Sequence, residues 1–288
     1  MPSHALTIDL EDWHQMLSRR LTGKYSEPSQ ATVVATHRLL DILDEANIRG
    51  TFFVVGMLAE RFPELVREVH HRGHEIASHS YTHRPIFTLS PEEFRSDLRR
   101  SLDQLANLTG SPIRGFRAPE FSVGALGHWC FDILAELGVA YDSSVFPIAG
   151  LRYGIANAPK KPFQITTKSG ALWEFPLATW KWHGRPIPLA GGTYYRFLPQ
   201  STMRRAVRDL GATSGAVFYF HPYEFQEGVL RLQDVDLATR LSFAYLKYRV
   251  LHNFRTPRIL RILKPLLAQL EFRPLRETCA ALQNGRAI

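Results

Sequence analysis

Residues 5–15 read ALTIDLEDWHQ, an apolar run that closes on three carboxylates, Asp9, Glu11 and Asp12, within four positions. The run predicts a buried strand, and the charge at its end predicts where chemistry is done. Six further apolar stretches follow: TFFVVG (51–56), HEIASHS (74–80), RGFRAP (114–119), VAYDSSV (139–145), LWEFPLAT (172–179) and AVFYFHPYEF (216–225). Helical patterns lie between them: PELVREVHHRG (63–73), stopped by Gly73, a helix through HWCFDILAELG that ends at Gly138, and another near 200–210. Ser90, Pro91 and Glu93 form a capping box ahead of the apolar face Phe94, Leu98, Leu102 and Leu105. Strands alternating with helices predict an α/β fold with a parallel sheet. In such folds the loops leaving the C-terminal strand ends gather around one mouth. Polar residues sit at those ends: the three carboxylates, then His79 and His83, then Arg117, then His221.

Composition narrows the classes. The 288 residues are 45% hydrophobic, enough for a sizeable core, and the 18 prolines and 19 glycines are scattered rather than pooled into a linker. Cys130 and Cys279 lie far apart with no CxxC spacing, which argues against a disulfide scaffold and a cysteine metal site. MPSHALTIDL has no basic cluster ahead of an apolar stretch and no segment has transmembrane length, so a cytoplasmic protein is expected. The net charge of +8 does not by itself choose a partner. Much of it lies between 241 and 277, where Lys247, Arg249, Arg255, Arg258, Arg261, Lys264, Arg273 and Arg276 face only Glu271 and Glu277.

Two neutral imidazoles with a carboxylate are common ligands of a hydrolytic zinc or similar divalent ion. An HxxxH spacing arises readily in a chain with 12 histidines, so SHSYTH gains weight only from its tie to the acidic strand end. Asp and Glu after a strand also commonly cap the next helix. Three carboxylates together would repel one another. A cation, with Arg117 as counter-charge, would relieve that repulsion and leave one carboxylate ionised as a base.

Taken in order, TIDLED, HEIASHSYTH, GFRAPEFS and FYFHPYEF resemble the polysaccharide deacetylase family, the carbohydrate esterases of family 4 that carry the NodB homology domain. The resemblance implies a distorted (β/α) barrel over residues 1–240, followed at 241–288 by a basic, amphipathic helical extension packed on it. It implies a polysaccharide N-deacetylase, a hydrolase of carbon–nitrogen amide bonds. His79 and His83 match the family's metal histidines, Arg117 and Pro119 its arginine and proline motif, and His221 its general acid. Asp9 matches the base. The family's usual metal aspartate would follow immediately, but Leu10 stands there, so the metal carboxylate is Glu11 or Asp12 and the spacing leaves both open. The cofactor implied is a divalent metal, Zn first, with Co, Ni or Mn as alternatives.

The variant first motif, with YDSSVFP, GGTYYRFLP and the basic tail, resembles a narrower branch found with exosortase and exopolysaccharide loci. Substrate contact is expected from Pro119, from a backbone N–H near Tyr141 that would stabilise the oxyanion, and from Trp13 as a pocket wall. Trp180, Trp182, Tyr194 and Tyr195 are either stacking platforms for sugars or core residues. The expected partner is an N-acetylated polysaccharide or oligosaccharide, with no nucleic acid. The tail either packs on the barrel or touches anionic lipid at the inner membrane face. Two other readings compete: an allantoinase-like amidohydrolase on a small C–N substrate, and a non-catalytic glycan-binding barrel. Glycan identity and oligomeric state are outside what the sequence specifies.

Overall fold

A computed structural model describes residues 3–124, 128–148, 154–211, 215–232 and 235–285. Its strands are β1 (Ser3–Leu10), β2 (Thr51–Val54), β3 (Glu75–Ser78), β4 (Gly115–Phe116), β5 (Tyr141–Asp142), β6 (Phe163–Thr167), β7 (Gly170–Glu174), β8 (Thr179–Trp182), β9 (Arg185–Pro188), β10 (Val217–Phe220) and β11 (Glu271–Phe272). The main sheet runs β10-β1-β2-β3-β4-β5-β7-β6, parallel apart from the β6–β7 hairpin, with β11 pairing the start of β1. Its two ends approach each other through one isolated parallel bridge, Leu177 to Val217, where the Ala178 N–H donates to the Val217 carbonyl. The α/β architecture expected from the alternating segments is therefore present, as a curled sheet rather than a barrel closed by a full ladder.

β1 is buried along its whole length because it is central. Ile8 lies opposite Phe52 on one side and Phe220 on the other, and Leu39, Leu40 and Leu43 of a covering helix are fully buried in the same core. Burial on both faces explains a near-continuous apolar run instead of strict alternation.

The helices are α1 (Trp13–Thr22), α2 (Gln30–Glu45), α3 (Gly56–Arg61), α4 (Pro63–His71), α5 (Pro91–Thr109), α6 (His128–Glu136), α7 (Gly192–Phe197), α8 (Gln200–Gly211), α9 (Leu237–Leu241), α10 (Phe243–Asn253), α11 (Pro257–Gln269) and α12 (Leu275–Gln283). The capping box of α5 forms as its sequence specifies, with the Glu93 N–H on Ser90 Oγ and the Ser90 N–H on Glu93 Oε2. LWEFPLAT does not form one strand: β7 stops at Glu174, and Thr179 starts the separate β8–β9 hairpin. Pro176 lies between them and has no N–H to continue a ladder.

Beyond residue 240, Ile259, Leu263 and Leu266 of α11 are buried in the main core, each worth on the order of 2 kcal/mol. The Leu275 N–H donates to Thr51 Oγ1 and the Arg276 N–H to Glu75 Oε2, tying α12 beneath β2 and β3. Among the described residues no helix is long and apolar enough to cross a membrane. Residues 286–288 of the expected extension lie outside the described residues.

Candidate active site

The C-terminal ends of β1, β3, β4 and β10 meet, and the polar residues that end them converge there. After Asp9 the chain makes one tight step, the Glu11 N–H returning to the Asp9 carbonyl at 3.0 Å. Asp9 reaches Arg117 and Glu11 reaches the histidines, while Leu10 between them is buried in the main apolar core. Glu11, His79 and His83 bring one donor atom each within 4.8 Å of one another, all three buried. Glu11 Oε2 lies 2.7 Å from His83 Nε2 and 3.7 Å from His79 Nε2, and Glu11 Oε1 lies 3.3 Å from His221 Nε2.

The loop carrying the histidines is shaped by its own hydrogen bonds. Ser80 and His83 both take positive φ, 63° and 53°, with the His83 N–H on Ser80 Oγ. Asp97 on α5 receives the N–H groups of Tyr81 and Thr82 and the Thr82 hydroxyl. His79 Nδ1 lies 2.8 Å from the Arg117 carbonyl. A carbonyl only accepts, so Nδ1 carries a proton and Nε2 is the ring nitrogen turned to Glu11.

Arg117 is fully buried, and four hydrogen bonds hold its guanidinium: Nη1 donates to Asp9 Oδ1 at 2.6 Å and to Thr7 Oγ1, Nη2 to Ser143 Oγ, and Nε to the Ser143 carbonyl. It also lies over the Phe53 ring. YDSSVFP thus cradles the arginine. Asp142 itself faces Glu174 out of the site; burial raises both carboxyls, as expected of a buried pair that shares a proton.

Burial opposes ionisation of Glu11, but the imidazoles of His83 and His221 and hydrogen bonds from His79 and His83 outweigh it and hold the carboxyl well below its ordinary range. His83 is pushed down, first by burial. His221 is raised to about 9: burial lowers it, but Glu11 and Glu224 more than compensate. The residues present fit a cation. The Nε2 atoms of buried His79 and His83 both turn to Glu11 Oε2, and a carboxylate with two imidazoles is a donor set of the kind zinc takes.

Several expected site residues stand elsewhere. Asp12 caps α1, accepting the Gln15 N–H on Oδ1, and its Oδ2 receives the Ser29 N–H and the hydroxyls of Ser29 and Thr32. With its oxygens turned to these donors it does not join the histidines, and the geometry favours Glu11. The Tyr141 N–H is taken by the Arg114 carbonyl and its hydroxyl donates to Glu75 at the other end of the sheet, so it offers nothing to an oxyanion. Trp13 is buried in a second apolar cluster and donates Nε1–H to His252 Nδ1, so it is no pocket wall. Pro119 is buried in the turn after Arg117, where Glu120 (φ 56°) pairs with Arg19 and Arg20. Of the aromatic candidates, Trp180 and Tyr195 are buried and Trp182 is exposed.

Sequence reasoning missed Glu224 and Arg196. A Glu three residues after His221 with proline between is a reciprocal cap signal, and the His221 N–H does donate to Glu224 Oε2. Nothing local marks Arg196 as buried. A groove of about 1100 Å3 is lined by His14, Tyr25, Gln30, Gln226, Arg231 and Asp236, among others; Asp9, Glu11, His79, His83, Arg117 and His221 do not line it.

Residues 29–141 match the family model described as polysaccharide deacetylase, and residues 143–280 match a domain of unknown function, DUF3473. The peptidoglycan-N-acetylglucosamine deacetylase of Bacillus cereus is 32% identical over 114 residues, 37% of this chain and 42% of that protein. The peptidoglycan deacetylase-like protein FGM2 of Gibberella zeae is 33% identical over 161 residues, 55% of this chain and 47% of that one. The matches thus span less than half the length of these curated relatives. A Mycobacterium smegmatis crystal structure that carries the polysaccharide deacetylase name shares the fold, with TM-score 0.64 and 22% identity over 99% of this chain and 93% of that one. With the curled parallel sheet and the histidine, carboxylate and arginine motifs at its strand ends, the chain carries a polysaccharide deacetylase domain of the NodB type, continued by a DUF3473 region.

Proposed function

We propose that this protein is a metal-dependent N-deacetylase acting on amino-sugar residues of an exopolysaccharide. The observation that carries this reading is the meeting of Glu11, His79 and His83 with the Asp9–Arg117 pair and His221 at one mouth. Glu11, His79 and His83 would hold a divalent cation, zinc first, with cobalt, nickel or manganese as alternatives. When bound, such a cation supplies Lewis-acid polarisation of the acetyl carbonyl and acidifies water.

The protein's own groups supply the proton traffic. Asp9, fixed by Arg117, is the general base that takes the proton of the attacking water. His221, whose Nε2 faces the same space, is the general acid for the departing amine.

The outer face of α9 and α10 is read as a contact with anionic lipid at the inner face of the membrane. Leu237, Leu241, Phe243 and Val250 are 67–82% exposed there. Between 237 and 270 the chain has no acidic residue, whereas Arg240, Lys247, Arg249, Arg255, Arg258, Arg261 and Lys264 are all basic. Exposed apolar side chains among cations match the chemistry of an anionic bilayer surface.

Acetate release from N-acetylglucosamine oligomers and crude exopolysaccharide tests the catalytic reading. Activity that disappears on chelation and returns with added metal is expected. Release that survives complete metal removal, or no release with any metal from folded protein, sinks it.

A further inference from the structure

Three side chains within the DUF3473 region stand behind His221. Glu224, buried in the turn after it, receives the His221 backbone N–H on Oε2 at 3.1 Å, and the same oxygen lies 3.6 Å from His221 Nδ1. Arg196 on α7 is also buried. Its Nη2 lies 3.8 Å from Glu224 Oε1, and its Nη1 donates to the His252 carbonyl at 2.6 Å. The His221 ring stacks on Tyr223 at 4.7 Å and 17°, and Tyr223 stacks in turn on His252 at 5.7 Å and 23°. His252 is itself held by the Trp13 indole N–H at 2.7 Å.

Backbone space has been made for this carboxylate. A Cβ at Gly192, the first residue of α7, would stand 2.3 Å from Glu224 Oε1. Burying a carboxylate and a guanidinium together is weak as a source of stability, because desolvation offsets their attraction. What the arrangement does provide is an oriented imidazole: one face is against Tyr223, the buried Nδ1, without a hydrogen-bond partner, lies 3.6 Å from the Glu224 carboxylate, and Nε2 lies 3.3 Å from Glu11 Oε1 at the mouth.

We propose that Glu224, backed by Arg196, is a positioning residue that holds His221 with Nδ1 turned to the carboxylate and Nε2–H aimed at the leaving nitrogen. The proposal rests on the N-deacetylase reading and gives the DUF3473 region a task within it. As the C–N bond breaks, its electron pair goes to nitrogen, the Nε2 proton follows, the carbonyl re-forms as acetate and His221 is left neutral. Nδ1–H keeps its carboxylate partner throughout.

An amide cannot expel its nitrogen without that proton, whereas para-nitrophenyl acetate loses a stable phenolate unaided. Glu224→Gln is therefore expected to lower kcat on N-acetylglucosamine oligomers by about 100-fold, with KM, metal content and para-nitrophenyl acetate turnover nearly unchanged. In a His221→Asn background it should cost nothing more. NMR of the protein with isotope-labelled histidine, His221 assigned by its loss in His221→Asn, should show Nδ1 protonated in the wild type and a mixture of tautomers in Glu224→Gln. Parallel loss of amide and ester turnover, or an unchanged His221 ring spectrum, overturns the proposal. If Glu224→Gln does not fold, Glu224→Asp, which keeps the charge but withdraws it by one methylene, is expected to show the same split. A wild type that cleaves no N-acetyl sugar would sink the deacetylase reading, while the ring spectrum still decides whether Glu224 orients His221.

Discussion

Leu10 separates this protein's acidic strand end from one in which base and metal carboxylates are adjacent, and its consequence is a division of labour among three acids. Asp9 meets Arg117, Glu11 meets the histidines, and Asp12 closes the first turn of α1. Substitutions should separate these jobs. Glu11→Gln is expected to abolish tight metal binding and acetate release while leaving a folded protein. Asp12→Ala should keep both metal and turnover in the folded fraction but lose on the order of 2 kcal/mol or more, because a helix cap goes and Ser29 and Thr32 lose their acceptor. Metal content by elemental analysis beside a denaturant titration reads the pair. Metal retained by Glu11→Gln and lost by Asp12→Ala would reverse the assignment.

Among the elements, the C-terminal helices are tied to the sheet rather than hung from it. α11 contributes Ile259, Leu263 and Leu266 to the main core, β11 pairs with β1, and α12 caps β2 and β3. Deletion after residue 240 is therefore expected to give insoluble protein, checked by the soluble fraction after expression; a soluble, active truncation would contradict it. The elements also show what was readable. β1 to β3, the α5 cap and the strand-end histidines follow from local apolar runs and short spacings. The break at Pro176 was hidden inside one apolar run, LWEFPLAT, because hydrophobicity alone does not reveal where a ladder stops, and β6, which precedes that run, is only half-buried and carries no apolar signal of its own. The choice between Glu11 and Asp12 stayed open in the sequence, and Trp13 was expected at the pocket, for a related reason: adjacency to a site in sequence says nothing about which way a side chain leaves a tight turn. Arg196 was illegible because its carboxylate partner is 28 residues away and nothing in the intervening sequence brings them together.

At the scale of the whole molecule, charge and apolar exposure share the face made by α9 and α10. Co-sedimentation with vesicles is expected to show binding that grows with anionic lipid content and weakens with salt. The double variant Phe243→Ser, Val250→Ser should lose that binding and still release acetate from soluble oligomers. No binding to anionic vesicles by the wild type, or a dimer dispersed by the same substitutions, would show that the face serves another purpose. The topology carries one more consequence, for synthesis. β1 precedes the other strands of its sheet, yet its neighbours β10 and β11 lie more than 200 residues later. At the usual pace of translation the nascent chain waits roughly 10–50 s with one edge of its central strand bare, and Glu11 waits as long for His221. The earliest-made strand of this sheet is the last to gain its partners, so a ribosome stalled before residue 217 presents an open strand edge to chaperones or to neighbouring chains.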